Sequence, residues 1–249
     1  KQCEIFLWSG NCNPSQKALS TLHEHNLLNI NGSDAQLDAL NPSYFELHPL
    51  YKTVGNHHQI YNSQANEVLF IDEKKPFLDG AFQSNIHSYK RMDKPRRLAP
   101  INIYYHFFLA QNLTGLISLQ NMYHWASKQP IHPVFTSEYI KIVRGFITGT
   151  ILQKSKNHYI IKQHGALRTI RFDTLDRFPN LALSKGVLGH MIYNQSLYVH
   201  LDDTPSPEIV LSKRKPKDIY LRRSSANVRQ LLFGKLKNTF SFRSEEHTS

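Results

Sequence analysis

Short apolar runs and amphipathic stretches alternate along the first 145 residues. Glu4-Ile5-Phe6-Leu7-Trp8 reads as a buried strand that stops at the turn formers Ser9-Gly10-Asn11. Pro14 then sits early in a helix over about 15–25, with Ala18, Leu19 and Leu22 on one face. Leu27-Leu28-Asn29-Ile30 predicts a second strand, closed by Asn31-Gly32. Residues 41–70 hold Pro42, Pro49 and Gly55 and predict a long loop with short strands. A helix is expected over 77–92, stopped by Pro95, and Ile101-Asn102-Ile103-Tyr104-Tyr105 reads as a strongly apolar strand. A further helix over 116–128 aligns Leu116, Leu119, Tyr123 and Ala126. Pro133-Val134-Phe135-Thr136 predicts one more strand, and Ser137 then caps a helix carrying Tyr139, Ile142, Val143 and Phe146. Strand and helix in alternation point to parallel α/β architecture.

After Gly149 the period changes from helical to alternating. Short runs at 150–153, 159–162, 167–172, 197–201, 208–211 and 218–221 are separated by turn residues. They predict a small antiparallel β domain, a sandwich, with the boundary near 145–149. No internal repeat or low-complexity tract interrupts either part.

Composition changes this picture little: 40% hydrophobic and 20% charged residues describe an ordinary globular chain. No run of about 18 apolar residues occurs, so no membrane-spanning helix is expected. The two cysteines, Cys3 and Cys12, exclude a disulfide-rich scaffold and leave one bridge or two free thiols open. Charge is uneven. Residues 1–145 carry 13 Lys+Arg against 11 Asp+Glu, whereas residues 146–242 carry 16 against 6. A basic half fits either an acidic partner or a solvated surface. The pI of about 9.6 and the run from Lys213 to Lys217 raise a nucleic-acid partner, but no nucleic-acid motif supports one.

Both ends have their own signature. The chain opens on Lys1 and enters a strand almost at once, which predicts that it is a piece of a longer protein. Residues 243–249, Arg-Ser-Glu-Glu-His-Thr-Ser, match a translated sequencing adapter and are expected to pack against nothing.

Loops after the carboxyl ends of parallel strands are where α/β proteins build sites. Three segments qualify: Trp8 to Cys12, Asn29 to Asp34, and Tyr104 to Phe107. His106 ends a very apolar strand and Asp34 follows a Gly turn. Paired, the carboxylate would orient the ring and favour its protonated form, suiting it to general-acid work; unpaired, they are a structural His and a turn Asp. His23 and His25 diverge on a helix, His57 and His58 diverge if extended, and His124 and His132 lack partners at ligand spacing, so no zinc motif is present. Most aromatics at alternating positions, Phe172 and Tyr198 among them, read as core rather than as a glycan platform.

Several of these segments resemble one family in the same order. Residues 95–108, Pro-Arg-Arg-Leu-Ala-Pro-Ile-Asn-Ile-Tyr-Tyr-His-Phe-Phe, are similar to a signature of the PelA-type polysaccharide deacetylases. Phe6 to Pro14, Leu28 to Asp34, Trp125 to Tyr139 and Phe178 to Val187 resemble further segments of that family, so the likeness runs from Glu4 to about Phe242. It implies an incomplete (β/α) NodB-like deacetylase barrel over 1–147 and a β domain over 148–242, with 243–249 as the tail. It also implies hydrolysis of N-acetyl groups on amino sugars of an exopolysaccharide, a periplasmic location, and envelope polysaccharide-export components as partners. In that superfamily an Asp and two His hold a divalent metal, zinc first among them, beside an Asp general base. The resemblance implies that these lie upstream of Lys1, so that this chain binds no metal by itself. His106 matches the position that protonates the leaving amine and Asp34 the position that tunes it. Trp8, Asn11, Asn31 and Tyr105 fall where the family lines its substrate groove. The Arg that orients the base there has no counterpart near Trp8. A non-catalytic carbohydrate-binding or envelope assembly module is the alternative reading.

Overall fold

The computed structural model describes residues 3–9, 12–32, 48–62, 85–93, 99–111, 113–173 and 176–213. The chain divides into two compact units. The first holds the residues up to Thr150 together with Ile161–Arg168, and the second holds Ile151–Ile160 and the chain from Thr169 onward.

The first unit is organised around a four-stranded sheet in the order β1-β2-β4-β3. Strand β1 (Ile5–Leu7) runs parallel to β2 (Leu28–Gly32), pairing Ile5 with Leu28. Strand β2 runs parallel to β4 (His57–Asn62), and β3 (Tyr51–Val54) closes an antiparallel hairpin with β4. That hairpin turns at Gly55, whose φ of +59° lies in the left-handed region glycine tolerates best. The crossover from β1 to β2 is helix α1 (Gln16–Glu24), which buries Leu19 and Leu22. Pro14 precedes α1 rather than entering it, because Ser15 caps the helix by accepting the Ala18 amide at 3.3 Å. The helix stops where Asn26 takes φ +55° and the Leu27 amide reaches back to the Leu22 carbonyl at 2.8 Å.

A second helix packs on this sheet. Helix α4 (Thr136–Thr148) places Ile140 and Val143 against Leu28, Ile30 and Ile60, with Ile5, Tyr139 and Ile147 at the margin. Near its end Gly145 approaches the segment 163–167 so closely that an added Cβ would stand 1.9 Å from the His164 carbonyl oxygen. Backbone, not a flexible side chain, fills that space. Gly145→Ala should therefore lower stability by about 1–3 kcal/mol in a urea titration. A neutral result would contradict this close approach.

The expected strand at 101–105 does not form; the segment carries no strand pairing among the described residues. Its apolar residues pack instead on helices. Ile101, Ile103 and Tyr105 line a cluster with Tyr89 of α2 (Asn85–Arg91), Met92 just after it, and Met122 of α3 (Leu113–Ser127). Tyr89 stacks on Trp125 at 5.6 Å and donates its hydroxyl to the Asn102 carbonyl. Alternation thus reports one face buried, and helices can bury it as well as a sheet can. The same correction applies at 133–136, where 133–135 lead into α4 without strand pairing and Thr136 is already its first residue. The cap there is Phe135 rather than Ser137: its amide donates to Glu138 Oε2 at 3.1 Å. Residues 77–84 of the expected helix lie outside the described residues.

No closed barrel is formed by the described residues. Among them β1 pairs only with β2, and Phe6 and Leu7 are exposed on it. Cys3 and Cys12 are not joined in a disulfide.

The second unit contains two antiparallel arrangements. One sheet orders β7 (Thr169–Phe172), β10 (Ser196–Leu201) and β9 (Val187–Tyr193). The other orders β5 (Thr150–Ser155), β6 (His158–Lys162), β11 (Glu208–Ser212) and β8 (Phe178–Pro179). Ring contacts link them: Tyr159 to Phe172 at 5.2 Å, and Phe178 to His190 at 5.9 Å. Leu197, Val199, Leu201 and Ile209 are fully buried. The β9–β10 hairpin turns on Asn194 and Gln195, both at positive φ, the geometry that matches the twist of the paired strands. The segments at 218–221 and 243–249 lie outside the described residues.

Candidate functional site

Alternation along β2 sends Leu28 and Ile30 to the α4 side and leaves Asn29 and Asn31 on the opposite side. Both asparagines are buried, at 5% and 3% exposure, so their amides require partners. The loop after β1 supplies them. Trp8 donates its indole N–H to Asn29 Oδ1 at 3.3 Å, and the Asn31 amide nitrogen donates to the Trp8 carbonyl and meets Cys12 Sγ. From β4 the Tyr61 hydroxyl reaches the Cys12 carbonyl at 3.2 Å. Cys12 itself sits at φ +53°, and its amide returns to the Ser9 carbonyl at 3.3 Å. Burial raises the Tyr61 hydroxyl pKa above its usual value, with the nearby Cys12 sulfur adding to the effect. The carboxyl ends of three adjacent strands thereby fix one loop and its indole.

Trp8 and Asn31 are thus in contact, as two of the expected substrate residues. Asn31 holds the loop with its amide nitrogen, which makes it a positioning group for Trp8 in this geometry. Asn11 and Asp34 lie outside the described residues, so the His106–Asp34 pairing is not part of the described structure. Asn29 and Cys12 fall within the segments singled out from the sequence but had no role assigned there, and Tyr61 was not anticipated. Two asparagines at i and i+2 between apolar residues of a strand were the available signal, since buried amides must be answered by neighbours.

His106 ends the extended segment with its side chain exposed. Tyr104 lies against it, hydroxyl to Nε2 at 3.5 Å and ring to ring at 5.4 Å, edge to face. Tyr105 takes the opposite side, packing into the α2–α3 cluster and bonding the Tyr123 hydroxyl. Burial chiefly, then Tyr105, raises the Tyr123 pKa. The segment therefore turns Tyr105 inward and leaves His106 accessible to solvent.

Among the described residues no group of three or more His, Cys, Asp and Glu is placed to hold a metal ion. The rings of His23 and His57 lie 5.7 Å apart, and His57 Nε2 is engaged by Ser20 Oγ at 2.9 Å. No described helix is long and apolar enough to cross a membrane. Comparison with protein families, with curated proteins and with solved structures finds no match for this chain.

Proposed function

We propose that this chain is the later portion of a PelA-type polysaccharide N-deacetylase, a NodB-like (β/α) enzyme that removes acetyl groups from the amino sugars of an exopolysaccharide. The observation that carries the reading is the junction of Trp8 with Asn31. These residues belong to two separate signature segments, 6–14 and 28–34, and they meet at the carboxyl ends of adjacent parallel strands. That is the end of a parallel sheet at which α/β enzymes assemble sites.

In this reading His106 donates a proton to the leaving amine nitrogen as the amide C–N bond breaks, with Asp34 orienting its ring. Trp8 and Asn11 border the groove that receives the sugar, and Asn31 holds Trp8 in place. In the longer protein that this reading proposes, a divalent metal, zinc first among candidates, would be held by residues outside this chain and would supply the activated water. Polysaccharide is the substrate, export components of the envelope are the partners, and the periplasm is the compartment.

In this reading the chain alone is inactive, because the residues that would hold the activating metal belong to another part of the protein. Acetate release from an acetylated amino-sugar oligomer, measured with added zinc or cobalt, should equal that of the His106→Ala chain. Turnover clearly above that control would contradict the proposal.

A further inference from the structure

The outward face of the β7-β10-β9 sheet carries a connected polar network that nothing in the deacetylase reading uses. Phe172 and His190 point toward the other sheet of the unit, where they meet Tyr159 and Phe178. Their strand neighbours Arg171 and Met191 therefore point outward, and the register sets both beside Tyr198. The contacts agree. Arg171 donates to Asp173 Oδ1 at 2.9 Å and to the Tyr198 hydroxyl at 3.4 Å, with its guanidinium 5.8 Å from the Tyr198 ring centre. Ser196 Oγ reaches the same Asp173 oxygen at 3.4 Å, and His200 meets Thr169 Oγ1 at 3.4 Å on the next rung.

Opposite His200 on β9 the rung ends in Gly189. Its φ is not in the left-handed region, and an added Cβ there would meet nothing within 4 Å. Neither backbone conformation nor internal crowding explains a glycine in the middle of a strand, where it weakens the strand. It leaves an open floor beside the Tyr198–Met191 pair, and Met191 is 61% exposed. The guanidinium of Arg171 is paired with the carboxylate of Asp173, so this pair offers hydrogen bonds without a net charge of its own.

The geometry points to a binding site for a neutral polysaccharide strand on this face. A pyranose has an apolar C–H face and a rim of hydroxyls. Tyr198 and Met191 offer the apolar contact, Arg171, Asp173 and His200 offer hydrogen bonds at its rim, and Gly189 lets the ring approach the backbone. A charged partner would have to break the Arg171–Asp173 pair to gain a counter-ion, whereas an uncharged hydroxylated chain would not. The identity of the natural sugar rests on the deacetylase reading; the existence of the site does not.

Calorimetric titration of the full chain with a β-1,4-linked N-acetylglucosamine hexamer and with the matching glucose hexamer tests this. At least one should bind the parent protein, and Tyr198→Ala and Gly189→Val should each weaken that binding by about tenfold or more. Gly189→Val fills open space with a residue strands favour, so its melting temperature should not fall, which separates loss of the site from loss of the fold. Absence of binding by either hexamer, or unchanged affinity in the folded Gly189→Val protein, overturns the site. Because neither hexamer needs to be deacetylated, binding survives even where acetate release does not.

Discussion

On the deacetylase reading, in the longer enzyme to which this chain would belong, His106→Ala should lower kcat by about 10²–10⁴-fold while bound metal stays at the parent level. That range is what a general acid contributes, about 3–5 kcal/mol of barrier. The side chain is exposed at the end of its segment and Tyr105 beside it is turned into the core, so the substitution removes an accessible imidazole without opening a cavity. Metal content by elemental analysis, read beside acetate release, separates a proton donor from a ligand. Metal lost together with activity would make His106 a ligand, and a change in kcat of less than threefold would remove it from the chemistry.

Ile140→Ala should cost about 2–5 kcal/mol of stability, the range for truncating a fully buried branched side chain. Ile140 is wholly buried where α4 meets Ile30 and Ile60, so its removal leaves a cavity lined by β2 and β4. The midpoint of urea unfolding should fall with little change in slope. A loss under about 1 kcal/mol would mean that the helix does not rest on the sheet as described.

Elements whose burial follows their own local period were legible from the residues. Helix α1 showed its Leu19–Leu22 face though not its Ser15 cap, and α4 showed Val143, while Ile140 is the buried residue of that face and Phe146 is exposed. The segment 101–105 was misread because alternation is a statement about one buried face, and the α2–α3 helices buried it without a ladder. Strand β9 was missed for the converse reason. It lies at a sheet edge, its run of Leu188, Met191, Ile192 and Tyr193 is largely exposed, and Gly189 breaks the pattern. At the site, Trp8 was legible from its place after a strand. The parts played by Asn29, Cys12 and Tyr61 depend on three strands being adjacent, which local sequence does not encode.

The reading of residues 167 and 198 shows the same limit. Leu197 and Val199 are core, and Tyr198 between them, expected to be core, bonds Arg171 on the outward face. Leu167 closes a turn with the His164 carbonyl instead of opening β7. One residue of offset in a strand exchanges its two faces, and neighbouring strands, not the strand itself, fix which face is inward.

The most direct test of the proposed identity is the genomic DNA immediately upstream of the codon for Lys1. The deacetylase reading predicts an open frame that encodes an Asp at the end of an apolar strand, followed by two histidines at the spacing of a shared metal on one helix face or loop. An upstream frame without that Asp and histidine pair would contradict it, whatever the likeness of residues 95–108.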